Sequence, residues 1–74
     1  MKRKRLWLER KKRGWSQQRL GFLSDVASTD ISRFETGILI PYPRQAERLA
    51  AVLGVPADEL IADVDDGSDG AGAA

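Results

Sequence analysis

Apolar positions recur at helical spacing in two short segments in the middle of the chain. Leu20 and Leu23 lie three residues apart, and Ile31 and Phe34 repeat that interval. Val26 lies between the two pairs. The spacing predicts two short helices that each turn an apolar face inward, with Val26 closing the corner between them. Two such helices joined by a tight polar break indicate a helix-turn-helix.

The polar residues around these pairs predict where the two helices begin and end. Ser16 is placed to cap the first of them, because its hydroxyl can accept from an amide two or three residues later. Asp25 lies at the corner, where the backbone commonly needs a residue that tolerates positive φ. The second helix is predicted over residues 28–36 and ends at Gly37.

One further helix is predicted before this pair and two after it. The first covers about residues 3–13, is anchored by Leu6 and by Trp7 or Leu8, and ends at Gly14, after which Trp15 returns to the core. After a proline-containing loop over residues 38–43, a fourth helix has apolar residues at i, i+3, i+4 and i+7, namely Ala46, Leu49, Ala50 and Leu53.

Gly54 ends the fourth helix, and a short fifth helix is predicted from Pro56 to Ile61. The predicted fold class is therefore all-α, a compact five-helix bundle that forms one domain over residues 1–62. The remaining residues, 63–74, are rich in Asp, Gly, Ser and Ala. This composition buries too little apolar surface to compensate for ordering, so a disordered acidic tail is predicted there.

Composition excludes several classes of function. The chain has no Cys and no His, so neither a disulfide framework nor the usual zinc ligands are present, and no cofactor or metal is expected. General acid–base chemistry would fall to scattered carboxylates, so the protein is not expected to be an enzyme. No apolar stretch approaches the roughly 20 residues that cross a bilayer, and the basic start lacks the apolar h-region of a secretory signal. A cytoplasmic protein without a membrane partner is expected.

The formal net charge of +1 conceals an asymmetry along the chain. Residues 1–62 hold all 12 Lys and Arg against seven acids, a balance of +5, whereas residues 63–74 hold four Asp and no base, a balance of −4. Eight of the 12 basic residues lie between Lys2 and Arg13. Such a dense positive field suits a polyanion, although a solvated helix face would have the same composition.

A spaced set of residues over about positions 6–62 resembles a known family. The set comprises Ser16-Gln17, Leu20, Val26, Ile31-Ser32-Arg33, Glu35, Gly37, Pro41, Leu49-Ala50, Leu53-Gly54-Val55 and Asp58-Glu59-Leu60. It closely resembles the phage-repressor and Cro-like helix-turn-helix family, also called the xenobiotic-response-element (XRE) family. The resemblance implies a lambda-repressor-like five-helix bundle that binds double-stranded operator DNA, usually as a symmetric dimer. A sequence-specific transcriptional regulator is expected, most simply a repressor on a pseudo-palindromic operator.

The second helix of the motif, residues 28–36, is expected to read the DNA. Its outward face carries Ser28, Thr29, Ser32 and Arg33, all able to bond to base edges or phosphates. Arg33 is the main candidate for specificity, because a guanidinium can bind guanine O6 and N7 together, a contact worth about 1 to 3 kcal/mol of discrimination. The alternative for Arg33 is an ion pair with Asp30, which would orient it.

Matching family positions imply further roles. Gln17 falls where the family donates to a phosphate and braces the recognition helix, although a polar residue in an exposed first turn is the alternative. Ser28 is an alternative N-cap, because Ala27 occupies the family's usual capping position. Arg10 and Glu35 match positions that form a structural salt bridge. Gln18 and Arg44 complete the predicted DNA-binding set.

Some positions depart from the family pattern. Gly21 replaces the usual Ala, Ser24 stands where an apolar residue is common, and Glu9 stands where an aliphatic side chain is normally buried. The loop after the recognition helix reads Ile38-Leu39-Ile40 in place of basic or polar residues.

Three adjacent aliphatics in the loop of so small a domain cannot all point inward. At least one is expected to be exposed and, with Tyr42, to contribute to a homodimer or to a protein partner. The alternative is that two of them cover the ends of the third and fourth helices.

Two alternatives follow for the chain as a whole. The same bundle could serve as a protein-interaction module, an antitoxin or adaptor, with little sequence-specific DNA binding. The acidic tail could also compete with DNA for the basic N-terminal arm, in which case truncation after Ala62 should tighten DNA binding at low salt.

Overall fold

Four α-helices form most of the fold, which this computed structural model describes for residues 2–65. In chain order the elements are β1 (Lys2–Lys4), α1 (Arg5–Lys12), α2 (Gln17–Ser24), α3 (Ser28–Thr36), α4 (Pro43–Leu53), a single 3-10 turn (Ala57–Glu59) and β2 (Asp63–Asp65). No helix among the described residues is long and apolar enough to span a membrane.

The core is a single cluster of aliphatic and aromatic side chains drawn from all four helices. Its fully or almost fully buried members are Leu6, Leu20, Val26, Ile31, Phe34, Leu49, Leu53 and Leu60, and Trp15 packs against them half-buried. Burying such side chains contributes roughly 1.5 to 3 kcal/mol each, the main favourable term in so short a chain.

The boundaries of α2 and α3 confirm the predicted helix-turn-helix. The Ser16 hydroxyl accepts from the Arg19 amide at 2.9 Å, which caps α2. Asp25 adopts the left-handed conformation at φ 59°, and the following Val26 amide donates to the Gly21 carbonyl at 3.2 Å. α3 covers the predicted residues and stops at Gly37, whose φ of 81° ends the helix without the strain that a Cβ would introduce.

The buried face of α2 differs from the predicted one. Leu20 is buried as expected, but Leu23 is 37% exposed, and the inward face is completed by Gly21 and Ser24. The Ser24 hydroxyl donates to the Leu20 carbonyl at 2.7 Å, so a polar residue is satisfied at a position where the family commonly has an apolar one.

The first helix is shorter than predicted because its first turn is replaced by a strand. α1 covers Arg5–Lys12, and Gly14 follows the C-cap Arg13 with a positive φ. No side chain caps the start of α1. Instead the Arg5 and Leu6 amides donate to the Ala62 and Leu60 carbonyls at 2.8 and 3.0 Å.

The predicted fifth helix does not form in the segment that these bonds hold. Only a 3-10 turn over Ala57–Glu59 is present, so the prediction of five helices was wrong. Leu60 is buried, and the carbonyls of residues 60 and 62 are used by the start of α1. These two bonds hold the segment after the 3-10 turn against the start of α1.

A short two-stranded antiparallel sheet joins the two ends of the described chain. Lys2 pairs with Asp65, Arg3 with Val64, and Lys4 with Asp63. The prediction of disorder from residue 63 onward is therefore wrong for Asp63–Asp65, and residues 66–74 lie outside the described residues. The charge pattern, three basic residues against Asp-Val-Asp, is the sequence signal that was missed.

α4 follows the predicted pattern. It begins with Pro43 at its first position, and the Gln45 side chain accepts from the Tyr42 amide at 3.0 Å. Leu49 and Leu53 are buried, and the predicted Ala46 and Ala50 are half-buried beside them.

Candidate nucleic-acid interface

An open cleft of about 440 Å³ lies between the start of α2 and the first two turns of α3. Its lining is polar and uncharged, and consists of Ser16, Gln17, Gln18, Ser28, Thr29 and Ser32. Five of these six residues belong to the predicted DNA-binding set. Ser16 was predicted only as a helix cap, and its place in the lining follows from that position next to Gln17. The fold therefore brings most of the predicted set onto one surface.

The start of α3 presents free backbone donors beside this cleft. Ala27 is the N-cap and has no side-chain acceptor, and Ser28 is the first helical residue, so the alternative role of Ser28 as N-cap was wrong. The first bond into the helix is from the Ile31 amide to the Ala27 carbonyl at 3.0 Å. The amides of residues 28–30 thus have no hydrogen-bond acceptor within residues 2–65. They lie at the positive end of the helix dipole, an arrangement that suits an anion.

A buried ion pair fixes α3 relative to α1. Arg10 Nε and Nη2 donate to the two carboxylate oxygens of Glu35 at 2.6 and 3.0 Å, as the family resemblance implied. Arg10 Nη1 also donates to the Trp15 carbonyl at 2.8 Å, which ties down the segment between α1 and α2. Both charged side chains are almost fully buried.

Gln17 connects the first turn of α2 to this ion pair. Its Nε2 donates to Glu35 Oε1 at 3.0 Å, so the bracing role implied for Gln17 is confirmed. Because the amide nitrogen carries two protons, the second remains for another acceptor at the cleft. The contact of Gln17 with a phosphate stays a prediction.

Arg33 and Arg44 lie outside the cleft lining. The Arg33 side chain is 59% exposed, and its Nη1 is 3.8 Å from Asp30 Oδ1, an ion pair too long to be a hydrogen bond. Asp30 therefore biases the position of the Arg33 guanidinium while leaving its donors available. Arg44 is exposed in the first turn of α4 and makes no ion pair with any described residue.

The basic residues near the N-terminus are largely used within the domain. Among the described side chains between positions 2 and 13, at least five form ion pairs with acids of the fold: Lys4 with Asp63, Arg5 with Glu9 and Glu59, Arg10 with Glu35, and Lys12 and Arg13 with Glu9. These acids neutralise part of the dense positive field predicted for this segment, although Arg5, Lys12 and Arg13 share the single carboxylate of Glu9.

Glu9 is the centre of the largest of these clusters. Its buried carboxylate accepts from Arg13 Nη1 at 2.9 Å and from Arg5 Nε at 3.1 Å, and Lys12 Nζ lies 3.5 Å away. The hydrogen bond from Arg13 is the main reason why the pKa of the Glu9 carboxyl is lowered below its ordinary value of 4.5; burial acts in the opposite direction, and Arg5 and Lys12 lower it further.

The cluster around Glu9 also ties α1 to α4. Arg13 Nη2 donates to the Leu53 carbonyl at 2.5 Å. Glu9 thus takes the inward position that the family fills with an aliphatic side chain. The helix keeps its expected orientation, with Leu6 also buried. The signal in the sequence was the pair of arginines four residues before and four residues after Glu9.

The segment after α3 forms an exposed apolar surface. Ile38, Leu39, Ile40 and Tyr42 are exposed by 77%, 42%, 71% and 76%. We call residues 38–42 the apolar loop. The alternative in which two of the aliphatics cover the ends of the third and fourth helices was wrong, since all three are exposed.

Comparison with known proteins agrees with this geometry. The profile of a family described as a helix-turn-helix domain matches residues 4–62, most of the chain. No curated protein and no solved structure matches the chain.

Proposed function

The chain belongs to the helix-turn-helix domain family, and from this premise we propose that it is a sequence-specific DNA-binding transcriptional regulator. The observation that carries the proposal is the cleft between α2 and α3, which gathers polar, uncharged side chains beside the open start of α3. An α-helix fits the major groove of B-DNA, and short polar side chains can reach base edges and phosphates there. The proposed DNA-binding domain includes β2 and so extends to Asp65.

In the proposed complex, α3 enters the major groove. Arg33 bonds to guanine O6 and N7, and Ser28, Thr29 and Ser32 contact adjacent bases or phosphates. Gln18 and the second Gln17 proton donate to phosphates next to the open amides of residues 28–30. The buried Arg10–Glu35 pair holds α3 rigidly, so that these donors keep their spacing.

Phosphate neutralisation falls to few side chains. Since most N-terminal basic residues are paired internally, Arg19 and Arg44, which are exposed near the start of α2 and of α4, supply it. Neutralising about two phosphates per copy gives a slope of roughly −2 for log K against log salt, which is modest for a basic domain.

A symmetric dimer would place two copies of α3 one helical turn apart on DNA, about 34 Å, and so would select a pseudo-palindromic operator. Binding at such a site within a promoter would exclude polymerase, so repression is the simplest outcome. The cytoplasmic location expected from the sequence stays a prediction.

The test is selection of bound sequences from a random duplex pool, with Arg33→Ala as the informative variant. Lys11→Ala is the matched control, because it removes one exposed positive charge outside the cleft. We expect a motif with two half-sites, a relaxed preference at one position in R33A, and an unchanged motif in K11A. Recovery of unselected sequences by the wild-type protein would contradict the proposal.

The alternative, a protein-interaction module on the same bundle, is favoured by one observation, the exposed apolar loop. Titration with the selected duplex separates the two functions. A module of this kind would show only weak binding, equal for all duplexes and abolished by salt.

A further inference from the structure

The apolar loop is held in a fixed conformation although its side chains face solvent. At its start, the Ile38 and Leu39 amides both donate to the Arg33 carbonyl, at 3.0 and 3.3 Å. Further along, Pro41 is buried, and the Tyr42 amide donates to the Gln45 side chain. A backbone fixed at both ends presents its side chains without a large further loss of conformational entropy, as a preformed contact surface does.

The exposed area of the loop is large for so small a domain. Its four exposed residues together leave on the order of 500 Å² accessible, comparable to the largest apolar patch on a typical monomer, which is often functional. Two such patches placed face to face would bury about 1,000 Å² in total, the lower limit for a specific protein interface. The area is sufficient for a weak contact between two copies.

The charge distribution favours a second copy as the occupant. Residues 2–65 carry 12 basic and 9 acidic side chains, a balance of +3, so two copies repel each other unless they meet at an uncharged surface. The segment from Gly37 to Pro43 contains no charged residue. The segment is poorly suited to bind DNA, because the side chains of residues 37–43 carry a single hydrogen-bonding group, the Tyr42 hydroxyl.

We propose that the apolar loop is the contact through which two copies of this chain form a symmetric dimer, with the same patch on each copy facing the other. The proposal rests on the proposed function in one respect, since the dimer is what reads two half-sites. Arg33 and Arg44 flank the loop in the sequence. Their repulsion weakens the dimer in free solution, and the phosphates of bound DNA relieve it, so association is stronger on the operator.

The first experiment needs no DNA. Sedimentation equilibrium of the full chain is measured at low and high salt for the wild type and for the Ile38→Ser, Ile40→Ser double variant. Phe22→Ser is the matched control, because Phe22 is 78% exposed on α2, outside the loop. We expect a reversible dimer that strengthens with salt, at least tenfold weaker association in the double variant, and no change in F22S. Circular dichroism checks that each variant is folded.

The second experiment uses duplexes with one or two selected half-sites. The wild type and the double variant should bind a single half-site equally, whereas only the wild type should bind two half-sites cooperatively. Three results would each overturn the proposal: a wild type that stays monomeric at high salt, a dimer that survives the double substitution, or a folded double variant that loses half-site binding. If no duplex is selected, the proposed function fails, and sedimentation still decides the dimer.

Discussion

Arg10 of α1 and Glu35 of α3 form a two-point ion pair whose side chains are only 9% and 2% accessible to solvent. Gln17, which lines the cleft, donates to the same carboxylate at 3.0 Å. One buried carboxylate therefore sets the position of α3 relative to both helices that precede it.

Removing one partner of this pair should destabilise the domain strongly. In Glu35→Gln the Arg10 guanidinium loses its counter-charge while it stays buried, and we expect a loss of about 3 kcal/mol in the free energy of unfolding. Urea unfolding measures it. The matched control is the Arg10→Met, Glu35→Met double variant, which leaves no stranded charge and should lose less than E35Q. A double variant that loses more stability than E35Q would contradict this account.

The Glu9 cluster should make stability depend on pH. Because the pKa of Glu9 is lower in the folded protein than in the unfolded chain, ionised Glu9 stabilises the fold above the unfolded-state pKa. That contribution is lost as pH falls through the folded-state value. Glu9→Gln should therefore be less stable than the wild type at pH 7, and the difference should shrink in acid. Glu47→Gln, an exposed change on α4, is the control, and a gap that stays constant from pH 7 to pH 3 would refute the prediction.

Truncation after Ala62 should weaken the fold rather than tighten DNA binding. Lys4 Nζ donates to Asp63 Oδ1 at 2.7 Å. The Lys4 side chain also lies beside Gly37, the C-cap residue of α3. That end of α3 is about 12 Å from the start of the helix at the cleft. Compared with a chain ending at Asp65, we expect a loss of roughly 1 to 2 kcal/mol and the same half-site affinity. Tighter DNA binding by the shorter chain would contradict this expectation and would indicate that the acidic residues compete with DNA for the basic N-terminal arm.

Gly21→Ala should destabilise the protein although alanine is the better helix former. A Cβ at this position would lie 2.7 Å from the Val26 carbonyl oxygen, a backbone atom in the corner between α2 and α3. Helix propensity favours alanine by about 1 kcal/mol, and we expect overpacking to exceed this and give a net loss of about 1 to 2 kcal/mol. The melting temperature of G21A measures the net effect on stability. A melting temperature above that of the wild type would contradict the prediction.

The parts of the fold that follow from local pattern could be predicted from the sequence. The cap at Ser16, the positive φ of Asp25 and the bounds of α3 depend on residues within one turn of each other. The resemblance to a family also located the Arg10–Glu35 pair. It did not show which face of α2 is buried, because the choice between Leu23 and Ser24 depends on where α3 packs.

Long-range contacts account for what the sequence did not reveal. The strand at Asp63–Asp65 depends on β1, at the other end of the described chain, and the segment before it is held by the start of α1, which takes the carbonyls of Leu60 and Ala62. The internal use of the N-terminal cations has the same origin. Charge counts along the chain cannot separate a cation that faces solvent from one that Glu9 neutralises.

The pairing of Lys2 with Asp65 has a practical consequence for protein engineering. Cross-strand partners have Cα atoms only about 5 Å apart, so a linker of a few glycines could join these two residues without disturbing either strand. A circular permutant closed here and reopened between Val55 and Pro56 would keep α2 and α3 contiguous. Fluorophores or surface anchors attached near the β1–β2 junction would likewise sit at the end of α3 remote from the cleft.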